Sequence, residues 1–357
     1  MPFSVEMPLD RINVQDNWHV RRPNLIAATC MALIAAACYL HPIPNDFDRY
    51  MYEAVVRSKF QPLEVYYPVI RHESARAEES SVIDTPAHMK DAETLYAIRP
   101  LYTDLISWLS LTGLSFQRSI NLISACSLLC TGILILLWTD SPILSVLLLG
   151  SWQVLELGRT GTPDSLSTLV TLLALFILER KPIGALILLF LGLFVRTDSL
   201  LLLLAILAWQ LLRQRLRLWV ALTVALAAVS AVMGINHWAH HPGWMVLFRL
   251  SFIGGKIPSA VIGKLTIREY AIAFARGAWS LLGQISLWGM LALVTWRMTR
   301  NSLLVVATAA ALAHFILFPS PELRYLLWYC LLAGTLFIQA IRSTSITRLR
   351  ATPQNGT

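Results

Sequence analysis

The chain has 357 residues, of which 56% are hydrophobic and only 14% charged, against about 25% charged in an ordinary soluble domain. That balance, with a mean hydropathy of +0.60, excludes a soluble globular protein. The net charge of +8, from 29 Lys and Arg against 21 Asp and Glu, is what membrane flanks require, so no nucleic-acid partner is expected.

Residues 1–23 are mostly polar, longer than the leading segment of an ordinary secretion signal, and read as a cytoplasmic N-terminal segment. The first apolar run, 24–40, ends in Ala35-Ala36-Ala37-Cys38, with Ala rather than Leu three places before the cysteine, so the run is expected to stay as an anchor. Residues 41–100 hold ten of the 21 acids and form a first outer loop. Within it Asn45, followed by Asp48, resembles a helix cap with an acid in the first turn. Phe47, Met51, Ala54 and Val55 then mark one apolar face, predicting an amphipathic helix lying on the membrane. Residues 60–95, rich in Glu, Ser and Arg, have a composition that is often mobile.

Further spans are expected at 118–138, 142–158, 163–179, 182–197, 199–212, 216–235, 277–296, 302–318 and 322–341. The 14-residue piece 101–114 is short for a crossing and suits a re-entrant or interfacial helix. The fold class is therefore all-α: a polytopic transmembrane helical bundle over 24–341, with about ten spans, outer loops at 41–100 and 236–276, and a cytoplasmic tail at 342–357. All five cysteines lie in apolar runs, so no disulfide framework or metal knuckle is readable.

Orientation follows from the short turns. Arg180/Lys181, Arg213/Arg215/Arg217 and Arg297/Arg300 alternate with turns holding only Arg159, Arg196 or Arg324, and the richer turns belong inside. The 236–276 loop then lies outside, yet it holds Arg249, Lys256, Lys264, Arg268 and Arg276 against Glu269 alone. Such cations suit phospholipid headgroups or a lipid-linked phosphate. Its histidines, His237, His240 and His241, either ligate a metal or, as is commoner, sit at the interface without one. Its aromatics read as belt residues.

On this topology the outer face gathers Asp46, Asp48 and Tyr50, then Tyr96-Ala97-Ile98-Arg99-Pro100-Leu101-Tyr102 and Asp104. It also receives Arg159-Thr160-Gly161-Thr162-Pro163-Asp164, Arg196-Thr197-Asp198 and Pro321-Glu322-Leu323-Arg324-Tyr325. Each acid taken alone can be a helix cap. The arginines beside them are not explained that way, because a helix N-terminus already carries partial positive charge. Helix starts plus Arg side chains make a phosphate site; pairing such as Arg196 with Asp198 is the competing reading.

These residues resemble the GT-C-type membrane glycosyltransferases, including relatives that use polyprenyl-phosphate sugars such as the aminoarabinose and protein O-mannosyl transferases. The similarity runs over about 25–340, through the first-loop acids ahead of Tyr50, Arg99-Pro100-Leu101-Tyr102, Arg159 to Leu166, Val195 to Asp198 and Arg324-Tyr325. The chain departs from the pattern in carrying Arg196 where many relatives carry Lys, and in having no large outer domain after its last span. The resemblance implies that Asp46 or Asp48 serves as base or metal ligand and that Asp164 is a second acid. It implies transfer of a sugar from a polyprenyl-phosphate donor to a hydroxyl of a lipid, glycan or protein acceptor, at the non-cytoplasmic face of the cell membrane. Asp46 is the first choice of base. Arg99, Arg159, Arg196, Asp198, Arg249, Lys256, Arg324, Tyr50, Tyr102 and Tyr325 are candidate substrate-binding residues, and a divalent ion (Mg, Mn or Zn) held by Asp48 and Asp164 is a candidate cofactor. The alternatives are a transporter or flippase for an anionic glycolipid, and an O-antigen-type polymerase in which the first-loop acids are dispensable.

Overall fold

The computed structural model describes residues 18–77, 80–254, 257–261 and 263–351. Among them it is all-helical, with no strand. In chain order the helices are α1 (Trp18–Leu40), α2 (Phe47–Arg57), α3 (Leu63–Glu73), α4 (Pro86–Glu93), α5 (Pro100–Leu111) and α6 (Phe116–Thr139). Then follow α7 (Pro142–Leu149), α8 (Trp152–Arg159), α9 (Asp164–Ile177), α10 (Pro182–Gly192), α11 (Leu200–Leu212) and α12 (Leu218–Trp238). The last four are α13 (Trp244–Phe252), α14 (Ile267–Thr299), α15 (Ser302–Leu317) and α16 (Leu327–Ala351).

The helix boundaries have local causes. Proline opens α4, α5, α7 and α10, where its missing N–H costs nothing. Thr266 and Glu269 form a reciprocal capping box at the start of α14. Asp140 and Arg300, both with left-handed backbone, stop α6 and α14.

Five helices are long and apolar enough to cross a membrane: Arg22–Leu40, Phe116–Thr139, Leu218–Trp238, Ile267–Thr299 and Leu323–Thr344; a sixth span arises if α8 and α9, bent by 117°, count as one. The expected 142–158 span is two short helices, α7 and α8, broken at Gly150-Ser151, and α10, α11 and α15 are shorter apolar helices. The buried shares of these spans rank them, 61% for α6 and 67% for the α16 span against 17% for α12 and 22% for α14. The first two are therefore the centre of the bundle and the last two its wall. Leu222, Leu226 and Met233 on α12, and Trp279, Leu282, Leu287 and Met290 on α14, stand exposed on that wall. At roughly 25 cal/mol per Å² such surface is costly in water and costs nothing against lipid.

The ends of the helices fall into two sets. At one end Arg213 and Arg215 pair with Glu179, Trp209 Nε1 donates to Ser302 Oγ at 3.2 Å, and Arg342 donates to the Thr139 carbonyl at 2.9 Å and pairs with Asp140. At the other end lie the starts of α2, α9 and α11, the end of α15 and the turn before α16.

Over that second end sits a cap. Its core is Phe47, Tyr50, Met51, Ala54, Tyr66, Ile70, Ile83 and Met89, contributed by α2, α3, α4 and the short turn before α4. The far side of α2 packs through Tyr52 and Val56 on Tyr102, Ile106 and Ile120 of α5 and α6. This corrects the expectation that α2 lies on the membrane: Phe47, Met51, Ala54 and Val55 are all buried in protein. Residues 60–95, outside 78 and 79, supply the helices that bury it. The 101–114 segment is the 12-residue α5, which belongs to the cap. In the 236–276 loop, α13 forms and the span helix already begins at Ile267. Its aromatics pack on the bundle, with Phe248 stacked on Tyr270 at 5.4 Å and Phe252 edge-on to Phe318 at 4.8 Å.

Candidate functional site

Four acids that could each cap a helix cap none. Asp46, which precedes α2, makes no side-chain cap bond, and Asp164, Asp198 and Glu322, at or beside the starts of α9, α11 and α16, are in turns without one. Their carboxylates bind other side chains or a distant backbone N–H instead.

Asp46 Oδ2 accepts the Gly161 backbone N–H at 2.6 Å, joining the cap to the elbow between α8 and α9. A Cβ at Gly161 would stand 2.7 Å from Arg49 Cβ and 3.1 Å from Asp46 Oδ2, so only glycine lets the two backbones approach. Asp48 accepts the Tyr96 hydroxyl at 2.7 Å on one oxygen and Arg324 Nη1 at 3.0 Å on the other. Asp164 accepts Thr162 Oγ1 at 2.8 Å, pairs with Arg196, and lies 3.8 Å from Arg324 Nε. Arg196 also grips both oxygens of Asp198, with Nε at 3.0 Å from Oδ1, and His314 Nε2 of α15 lies 3.1 Å from Asp198 Oδ2. Tyr325 lies beneath the two guanidiniums, 4.9 Å from that of Arg196 and 5.2 Å from that of Arg324. Arg324 pairs in addition with Glu322.

The result is one chain of contacts from the cap to the bundle core: Tyr96, Asp48, Arg324, Asp164, Arg196, Asp198, His314. It uses six separate stretches of sequence. On its far side α14 backs the turn that carries Glu322 and Arg324, since a Cβ at Gly277 would fall 2.0 Å from the Pro319 carbonyl.

The two first-loop acids are tuned in opposite directions. Burial, and then the neighbouring Asp48 charge, push the Asp46 carboxyl above its ordinary value. Burial also opposes ionisation of Asp48, but Arg324, the Tyr96 hydroxyl and Arg99 outweigh it and hold that carboxyl below its ordinary value. One acid is poised to take a proton and its neighbour stays charged.

Two spaces adjoin the network. A small polar cavity of about 30 Å³ is lined by Asp164, Arg196, Asp198, His314, Arg324 and Tyr325 among others. On the other face of α15, a groove of about 680 Å³ runs between α14, α15 and α16, lined by apolar side chains such as Leu281, Ile285, Leu312 and Phe315.

Of the expected site residues, Asp46, Asp48, Asp164, Arg196, Asp198, Arg324 and Tyr325 meet. Arg99 stands beside them, its guanidinium 5.5 Å from the Tyr52 ring and 5.9 Å from that of Tyr96. Tyr102 is fully buried next to the elbow and its hydroxyl has no hydrogen-bond partner. Three do not join. Arg159 turns back to α1, donating to the His41 carbonyl at 2.8 Å; Tyr50 is part of the cap core; and Arg249 is occupied by the Lys264 carbonyl and Glu269. Lys256 lies outside the described residues. The contacts of Tyr96, Gly161 and His314 add to the list. His314 gives no sequence signal, being a lone histidine in an Ala- and Leu-rich helix.

Asp48 and Asp164 do not fit a divalent ion between them, because the Arg324 guanidinium already bridges the two carboxylates. Among the described residues no group of three or more His, Cys, Asp or Glu could hold a metal ion. Compared with known proteins, the chain matches no family model, no curated protein and no solved structure.

Proposed function

We propose that this chain is a membrane glycosyltransferase of the GT-C type, moving a sugar from a polyprenyl-phosphate-linked donor to a hydroxyl acceptor on the non-cytoplasmic face of the cell membrane. The observation that carries the reading is that Asp46, Asp48, Asp164, Asp198, Arg196 and Arg324 meet at one end of a lipid-facing bundle while none of the acids caps a helix. Buried charge on this scale is expensive, and function is the usual reason for it.

Asp46 is the base. One of its oxygens is fixed by Gly161, and its raised affinity for protons suits it to take the acceptor's hydroxyl proton. As the acceptor oxygen bonds to the anomeric carbon, the bond from that carbon to the phosphate oxygen breaks and its electron pair leaves on the phosphate. Arg99 and Arg324 meet that developing charge. The donor's prenyl chain needs an apolar berth, and the groove beside α15 has the volume and lining for part of it. No step is routed through a metal, which the carboxylates present do not fit.

The ten-crossing topology is part of the same proposal. Successive helices from α6 onward alternate between the two sets of ends, with α7 and α8 together making one return and α13 lying in a loop. With the arginine-rich turns taken as cytoplasmic, the acid–arginine network belongs outside and the Glu179, Asp140 and Arg342 pairs inside. Among the described residues the ion pairs at the inner end are half-exposed, which favours chemistry at one face over passage of an anionic glycolipid across the membrane.

The test is transfer or donor hydrolysis by purified chain in vesicles, with a panel of radiolabelled polyprenyl-phosphate sugars. Asp46→Asn is expected to lower the rate by about 10²–10⁴-fold. No turnover with any donor, or full activity in Asp46→Asn, overturns the reading.

A further inference from the structure

Beside the ion-paired network stand a guanidinium and an imidazole, Arg99 and His241, that come from segments that pack together. Arg99 makes no ion pair among the described residues. Its hydrogen bond is a long one, Nη1 to the Leu95 carbonyl at 3.4 Å. The residue before it, Ile98, packs on Ile235 and Ala239 near the end of α12. That contact brings the 236–241 turn against Arg99. The turn is tightly built: His240 and His241 donate their N–H groups to the His237 and Asn236 carbonyls at 3.1 and 2.9 Å, and His240 takes a left-handed backbone.

The His241 ring is oriented by a contact that also decides its proton. Its Nδ1 accepts the Gly243 backbone N–H at 3.1 Å. Nδ1 therefore carries no hydrogen, and the neutral ring holds its proton on Nε2. Nε2 is buried and has no partner among the described residues. A neutral ring in this tautomer offers no lone pair at Nε2, so His241 is not a metal ligand through that atom. It is a donor lacking an acceptor, near a guanidinium that has no ion-pair partner among the described residues. A buried donor left unmet costs free energy that an acceptor returns.

We propose that Arg99 and the Nε2–H of His241 form a subsite for a phosphate group, with His241 acting as a neutral donor. The subsite rests on the transferase reading and deepens it, since it names the residues that hold the donor's phosphate beside Asp48 and Asp164. Burial, and then the Arg99 charge, push the His241 ring down to about 4, so the ring stays neutral at physiological pH. Such a donor adds direction without adding a second positive charge to the site.

The experiment measures binding rather than sugar transfer, so a failed transfer assay leaves it standing. Full-length protein in zwitterionic nanodiscs is titrated calorimetrically with a short-chain polyprenyl phosphate, with the uncharged polyprenol of equal length, and with inorganic phosphate. Arg99→Gln and His241→Phe are expected to weaken the polyprenyl phosphate about tenfold or more. His241→Gln, which keeps an amide donor, stays near the native value, and polyprenol binding is unmoved by all three. Tighter binding of polyprenyl phosphate than of inorganic phosphate assigns the subsite to the lipid, and equal binding assigns it to free phosphate; both support the anion site. Native affinity in His241→Phe, or parallel loss of polyprenol, overturns it. If His241→Phe does not fold, histidine-selective nitrogen NMR of the native chain decides. A bound phosphate must raise the His241 titration midpoint by about one unit or more, and an unmoved midpoint refutes the subsite.

Discussion

Arg196 holds two carboxylates at once, one of them buried to 5% exposure with no other cation closer than the 3.8 Å contact from Arg324. Replacing it by Met leaves Asp164 and Asp198 facing each other without their shared cation, and a buried pair broken on one side costs about 3–5 kcal/mol. Arg196→Met is therefore expected to lower the denaturation midpoint in detergent sharply, and the double variant Arg196→Met, Asp164→Asn to recover part of the loss. Arg196→Lys keeps the charge without the planar fork and falls between. The first-loop acids make a pH prediction of definite sign. Asp48 binds its proton less readily in the fold, so its contribution to stability is complete above the ordinary carboxylate value of about 3.9 and is lost as pH falls through the lowered value. Asp46 binds its proton more readily, so its contribution is present below the ordinary value and is lost as pH rises through the raised one. As a base it must be ionised, which places the acid limb of the transfer rate above about 3.9, and Asp46→Asn must abolish that limb. At this scale the arginines were readable because each broke a local rule, a cation beside a helix N-terminus needing another reason to be there, and they drew attention to the acids beside them. His314 broke no such rule, and Arg159, which has the same sequence signature as Arg196, differs only in which way its side chain turns.

Among the elements, the elbow between α8 and α9 does most to build the site. The chain bends by 117° there, and the bend presents the Gly161 N–H to Asp46 and the Asp164 side chain to Arg196. Ser124 Oγ holds the Thr160 carbonyl at 2.9 Å, and Ser165 Oγ the Ser124 carbonyl at 2.8 Å, so the elbow is pinned to α6. Gly161→Ala forces its methyl against Arg49 and Asp46. The expected outcome is a protein with a native far-UV spectrum, a lowered melting midpoint and transfer reduced at least about tenfold, since misplacement by about 1 Å is enough. Unchanged turnover would show that the contact is incidental. The proline after Thr162 made this break visible in sequence, but the division of 142–158 into α7 and α8 was not, because an apolar run reads the same whether one helix or two occupy it. The cap was hidden for the opposite reason: its few core residues, Tyr66, Ile70, Ile83 and Met89, are spread among charges that look like an unstructured loop.

For the whole molecule, the two sets of helix ends differ in what they hold. One set carries interlocked, largely buried charge under a folded cap; the other carries pairs such as Glu179 with Arg213, whose side chains are 38–48% exposed. Exposed pairs of this kind contribute about 0–1 kcal/mol and leave their end of the bundle free to be decorated by the lysines and arginines that a cytoplasmic surface collects. The proposed topology gives the two ends a sidedness that labelling can read. Glu64 lies exposed on the cap, and Gln214 lies exposed in the turn between α11 and α12. In whole cells or sealed right-side-out vesicles, Glu64→Cys is expected to react with a membrane-impermeant maleimide, whereas Gln214→Cys reacts only after the bilayer is opened. Equal reactivity of both from outside, or the reverse order, would put the acid–arginine network on the wrong face for a donor presented outside the cell. An active transferase with that topology would have to take its substrate from the cytoplasm, where the arginine-rich turns would no longer follow the rule that oriented them.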